Sequence, residues 1–307
     1  FSYANTELYA QGQELLVGDV NAVIDGLFAG GATAVDVVDG HGSGNPQPDI
    51  LSAQLDPRAR QIIRDEPFRQ YVDLVEPRAY DAVAVVGMHA KTGSGGFASH
   101  TYTLGIEFRM NGRSITETEL VAYSFGRAGV PVIFASGDDR LAEDLRTMPW
   151  IEYATVKTAT SASTAEPRPL DEARAELRAK AQRAVERLPE MQVVTLATPV
   201  EAALHAVPPA SLAVLSGVPG IDYADQTVTF TAPDFATAYD GLIALVTVAR
   251  TGYAGVLQET LRAHPAGAEI LGSNRVNLFA RWMDVESDRW TAPSPEPAAE
   301  RTWHGAN

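Results

Sequence analysis

The stretch Ala82-Val83-Ala84-Val85-Val86-Gly87-Met88-His89 decides how this chain is read. A run of small and β-branched apolar residues with no polar alternation is the pattern of a strand covered on both faces, as in a parallel sheet. It runs directly into glycine and histidine. Working outward, the same arrangement recurs twice. Upstream, Ala34-Val35-Asp36-Val37-Val38 leads into the loop Asp39-Gly40-His41-Gly42-Ser43-Gly44-Asn45-Pro46. Downstream, Val130-Pro131-Val132-Ile133-Phe134-Ala135 leads into Ser136-Gly137-Asp138-Asp139.

Helical patterns separate these strands. Glu7 to Phe28 places Leu15, Val20, Val23, Ile24 and Leu27 at helical spacing and stops at Gly30-Gly31. Glu117 to Arg127 reads as a helix with Ser114 or Thr116 as its N-cap. Strands alternating with helices predict an α/β fold with a largely parallel sheet flanked by helices, whose sites gather at the carboxyl ends of the strands. Tyr102 to Ile115 interrupts this order as a hairpin, with Asn111-Gly112 as its turn. The Ser/Thr/Ala/Pro-rich stretch from Thr158 to Pro169 reads as a boundary or active-site loop. Beyond it, Leu170 to Leu188 predicts a charged helix, Gln192 to Ala197 and Gln226 to Thr231 strands, and Phe235 to Ala249 a helix. The resulting division is an α/β site domain over 1–158, a smaller C-terminal α+β domain over 159–290, and a disordered tail over 291–307 rich in Pro, Glu and Ala.

The totals narrow the function. With 307 residues, 45% of them hydrophobic, the chain can bury a sizeable core. Its 24 Lys and Arg against 39 Asp and Glu leave a formal charge of -15, which repels nucleic acid. The densest basic stretch, Arg174 to Arg187, is interleaved with Glu176 and Glu186 and reads as a solvated helix face. No apolar run approaches the roughly 20 residues of a membrane span, so no membrane partner is expected. There is no cysteine, which excludes a disulfide framework, a thiolate metal site and a cysteine nucleophile. A cysteine-free chain is compatible with cytoplasm and periplasm alike.

Of six histidines, His41, His89 and His100 fall in strand-end loops among small residues that admit close approach. Asp39 is placed either to fix the tautomer of His41 or to close an Asx turn. His89 reads as a ligand or as a half-buried, backbone-bonded ring. His100 follows the flexible Lys91 to Gly96 loop. Glu117 opens a helix, where it could face a site or simply favour the helix dipole. Asp138 and Asp139 read as a cation site or, more simply, as a cap for the helix starting near Arg140. Mixed imidazole and carboxylate shells suit zinc, which polarises a carbonyl and activates water.

In four ordered blocks the chain resembles the DppA-like D-aminopeptidases, a metallopeptidase family. These are Val38-Asp39-Gly40-His41-Gly42-Ser43; Gly87-Met88-His89-Ala90 through Ser99-His100; Thr116-Glu117 leading to Ala122-Tyr123; and Val130-Pro131-Val132 leading to Gly137-Asp138-Asp139-Arg140. The resemblance implies a hydrolase that removes N-terminal residues, D-residues among them, from short peptides. It implies a pair of zinc ions per subunit and a ring-shaped homo-oligomer. It assigns His41, His89 and Glu117 as metal ligands and His100 as the catalytic group. It places two further ligands, an Asp and a Glu of a D-x-E-G motif, on a strand before the first helix, and so carries the expectation that the protein extends upstream of Phe1. Ala162 stands where the family usually carries Arg shortly after the lysine matched by Lys157, which implies a different substrate choice. A catalytically silent peptide-binding or assembly protein of the same fold is the alternative, and anion binding by the Gly93 to Gly96 loop is a third reading.

Overall fold

The computed structural model describes residues 6–41, 49–63, 71–72, 79–208 and 210–287. The predicted tail therefore lies outside the described residues. The frame is the parallel arrangement expected from the opening strand. Strand β3 (Val83–Val85) pairs in parallel with β6 (Val132–Asp138), which pairs in parallel with β7 (Glu152–Ser161). A fourth strand, β8 (Thr164–Pro167), returns antiparallel to β7. Strands β1 (Asp36–Val38) and β2 (Arg60–Ile62) form a separate parallel pair.

One face of the four-stranded sheet is covered by helices α1 (Thr6–Ala29) and α4 (Leu170–Glu186), through a core that joins Val23, Leu177 and Ala181 to Ile133, Phe134 and Ala154. The two helices meet at glycine. A Cβ on Gly26 would sit 2.2 Å from the Arg178 carbonyl oxygen, and one on Gly30 2.6 Å from that of Gln182. Ion pairs Arg174–Asp19 at 3.1 Å and Arg178–Asp25 at 2.5 Å flank the seam. Buried Glu152 at the start of β7 receives Arg183 and Arg187 of the α4 end.

Helix α2 (Glu117–Gly126), buried along its whole length, fills the other side. It starts with a capping box: Thr116 Oγ1 accepts from Glu119 N at 3.0 Å, and Glu119 Oε2 from Thr116 N at 2.8 Å. Thr116 is thus the cap, and Glu119 belongs to it. Asp138 caps the short helix α3 (Asp139–Asp144) through Leu141 N at 2.8 Å, the simpler of its two readings.

The second sheet is antiparallel and runs β10 (Asp222–Ala224), β11 (Thr227–Ala232), β9 (Val200–Ala206), β4 (Ile106–Met110), β5 (Arg113–Ser114). The β4–β5 turn is the expected Asn111-Gly112, with both residues at positive φ. The sheet draws strands from both sides of residue 158, and α4 from beyond it covers the parallel sheet. Helix α5 (Phe235–Ala263) packs on β9 and β11 and leads to α6 (Gly267–Glu286).

Three local expectations change. Thr158 to Pro169 is not a loop but the end of β7 and strand β8, whose Thr and Ser side chains bond across the turn (Thr160–Thr164, 2.7 Å). Gln192 to Ala197 has inward Val194 and Leu196 yet joins no ladder; the strand is Val200–Ala206. There the Val194 carbonyl oxygen lies against Gly126, 1.8 Å from where a Cβ would stand, so the run is set by α2 rather than by a sheet. Helix α6, unread in the sequence, is only weakly amphipathic.

Candidate metal centre

The residues of this site sit where the sheet directs them. His89 leaves the end of β3, His100 closes the loop that follows, and Glu117 is the first residue of α2. Among the described residues, ligand atoms of His89, His100 and Glu117 all lie within 4.8 Å of one another. His89 Nε2 stands 3.3 Å from Glu117 Oε2, and His100 Nε2 3.9 Å from Glu117 Oε1. The two imidazoles stack, centroids 3.9 Å apart and planes 16° from parallel.

Each ring is oriented from behind. His89 Nδ1 lies 3.1 Å from the Ala90 carbonyl and His100 Nδ1 2.8 Å from the Ala98 carbonyl. With Nδ1–H donating to a carbonyl, Nε2 of each ring is left facing Glu117, as a lone-pair atom when the ring is neutral and as an N–H donor when it is protonated. Ala98 (φ 55°) and Tyr102 (φ 62°) hold left-handed backbone on either side of His100. For residues with a Cβ this costs on the order of 1 kcal/mol each. The geometry aims the Ala98 carbonyl at His100 and the Tyr102 N–H at Glu117 Oε1, 2.7 Å away.

Burial and charge then divide the roles. Burial opposes protonation of His89, but the charge and hydrogen bond of Glu117, with the Ala90 carbonyl, outweigh it and raise its pKa. Burial, seconded by the charge of His89, pushes His100 down to about 4. Burial also opposes ionisation of Glu117, yet His89, His100 and a hydrogen bond from Tyr71 hold its carboxyl well below the usual range. The site thus offers a carboxylate, an imidazole held neutral and a second imidazole that the carboxylate favours in its protonated form. That donor set is one a divalent transition metal would take by displacing a single proton.

His41 is not one of the three clustered ligand groups, although its charge reaches His100. Its side chain is 54% exposed and its Nδ1 is 3.0 Å from Asp49 Oδ2. The Asp39 carboxylate accepts from the backbone N–H of His41 at 2.9 Å and of Asp49 at 2.6 Å, an Asx-type turn. Asp49 and Tyr71 were not singled out in the sequence, because neither sits in a strand-end motif.

Nor was the far wall. Trp282 of α6 is 2% exposed and meets the His100 ring edge-on, centroids 6.0 Å apart. It packs with Met283 over Ala98 and Ala162. The Glu286 carboxylate accepts from Gly93 N at 3.3 Å and Ser99 Oγ at 3.1 Å, fastening the end of α6 to the glycine-rich loop. Gly96 of that loop is needed for close approach: a Cβ there would lie 2.8 Å from Ala90 Cβ and 3.0 Å from Asp138 Oδ2.

Known proteins resemble this chain in sequence and fold. A D-aminopeptidase of Bacillus subtilis (strain 168) is 31% identical over 158 residues, 50% of this chain and 56% of that protein. The chain thus spans little more than half the length of that curated relative. The solved structure of zinc-dependent D-aminopeptidase DppA from Bacillus subtilis, described as a self-compartmentalizing protease, superposes with a TM-score of 0.70. It is 25% identical and the match covers 78% of this chain and 88% of that one. The family's own sequence profile, described as D-aminopeptidase, matches residues 2–244, a span that contains both sheets and all of the clustered ligand groups, and on that match the chain belongs to the D-aminopeptidase family.

Proposed function

We propose that this protein is a zinc-dependent aminopeptidase acting on short peptides, D-residues at the N-terminus included, and that it works as a ring-shaped homo-oligomer. The observation that carries the reading is the buried convergence of His89, His100 and Glu117. Buried ionisable groups drawn together are costly to keep, and a catalytic metal is one reason to keep them. Family membership, a zinc-dependent relative and the self-compartmentalizing description of that relative support the metal, the chemistry and the assembly. They disfavour a catalytically silent binding protein.

The ligands proposed are His89 and Glu117, with His41 brought in from its own loop and up to two ions per subunit. A bound zinc ion would polarise the scissile carbonyl and lower the pKa of a water. The rest falls to the chain. His100, neutral and with Nε2 turned inward, takes or gives the proton at the reacting atoms. Tyr71 and the Tyr102 N–H hold Glu117 in place. Burial excludes bulk water, so each of these contacts acts at low dielectric.

The test is metal analysis of purified protein joined to a screen of matched D- and L-aminoacyl peptides. The expected result is stoichiometric zinc and release of the N-terminal residue, both lost in Glu117→Gln. Zinc-loaded protein that cleaves none of the peptides would overturn the reading.

A further inference from the structure

Lys157 stands near the carboxyl end of β7, opposite Asp138 in the ladder with β6. Its Nζ lies 4.8 Å over the ring of Phe97, in the loop between His89 and His100. Apart from that ring, no ion pair or hydrogen bond reaches its ammonium from the described residues. The two carboxylates whose charge it feels are committed elsewhere. Asp138 Oδ1 accepts from Leu141 N and its Oδ2 from Phe97 N, both at 2.8 Å. Asp19 Oδ1 accepts from Arg174 Nε at 3.1 Å. Burial pushes the Lys157 pKa down, and its charge is felt by His89, so it borders the site.

A largely buried cation with no anion is a costly thing for a fold to keep. An aromatic face offsets a part of that cost, and an incoming anion offsets more. The anion must be small, must approach from the side of His89, whose ring feels the lysine's charge, and must leave again. Resting on the aminopeptidase reading, we propose that Lys157 is the subsite for the free terminal carboxylate of a short peptide, so that the preferred substrates are dipeptides and their like rather than long or amidated chains. The cleaved bond then lies between the metal centre and the lysine, which sets substrate length from the carboxyl end.

The experiment compares D-alanyl-glycine with D-alanyl-glycinamide, alike but for that charge. Binding to zinc-free protein is read by calorimetry, and kcat/KM is read on zinc-loaded protein. The expected result is that the acid binds and reacts about 10- to 100-fold better than the amide. Lys157→Met abolishes the preference, and Lys157→Arg retains most of it. Equal handling of acid and amide by the natural protein overturns the proposal without any variant having to fold. So does Lys157→Met lowering both substrates alike, which marks a structural lysine, and so does the absence of binding. If the zinc-free protein prefers the acid through Lys157 but the zinc-loaded protein cleaves neither peptide, the carboxylate subsite stands and the peptidase reading falls.

Discussion

The imidazole of His100 lies flat against that of His89, centroids 3.9 Å apart, while both Nε2 atoms face one carboxylate, that of Glu117. Two stacked rings on one anion cannot both carry a proton cheaply. The structure resolves this by raising the pKa of one and lowering that of the other.

From that division follows the behaviour of His100→Ala. If the ring moves protons and does not hold metal, its loss lowers kcat by roughly 100-fold or more and leaves zinc content unchanged. Inductively coupled plasma analysis alongside steady-state rates separates the outcomes. Loss of zinc together with activity would make His100 a ligand.

Zinc affinity rises with pH. His89 gains a proton from its pairing with Glu117, so its raised pKa stabilises the metal-free fold below the ordinary value of 6.5, a contribution lost as pH climbs through the folded value. Metal must expel that proton. Affinity therefore increases about tenfold per pH unit while His89 is protonated and levels off above its pKa. Competition against a chelator at several pH values measures the slope; a flat profile would contradict a protonated His89.

Glu152 binds α4 to the sheet. Burial would raise its pKa, but the hydrogen bonds of Arg183 and Arg187 lower it, so its contribution is present above the ordinary 4.5 and lost as pH falls through the folded value. The arginines are partly exposed and water-screened, so Glu152→Gln is expected to cost only about 1–2 kcal/mol at pH 7. In urea unfolding, the gap between the two proteins should close in acid.

Trp282→Ala should destabilise by about 3 kcal/mol or more, as truncation of a buried indole does, and should lower kcat as well because His100 loses its edge contact. Trp282→Phe should retain most of both. Chemical denaturation and rates on the same preparations test it; an unchanged kcat in the Ala variant would confine Trp282 to packing.

What could be read in advance followed strong local signals. Val83 to Val85 declared itself by an unbroken apolar run and Asn111-Gly112 by turn chemistry, while the choice of Thr116 over Ser114 as cap came only with its box to Glu119. His89, His100 and Glu117 could be paired because sheet topology brings strand ends together. What stayed hidden depended on distant partners. Val200–Ala206 is a strand because β4 and β11 accept it, while Gln192 to Ala197, with a similar pattern, found α2 instead. Nothing local announces a left-handed Tyr102, or a tryptophan set on a histidine far upstream.

The latch between Glu286 and Gly93 joins groups 193 residues apart. A ribosome delivers the histidines, the carboxylate and the parallel sheet well before it delivers α6, and chains fold in the order they emerge. Through that interval the histidines and the carboxylate lack the tryptophan edge that meets His100. The wall of the site is then complete only once translation has passed α6, so the clustered groups reach their final surroundings late in synthesis.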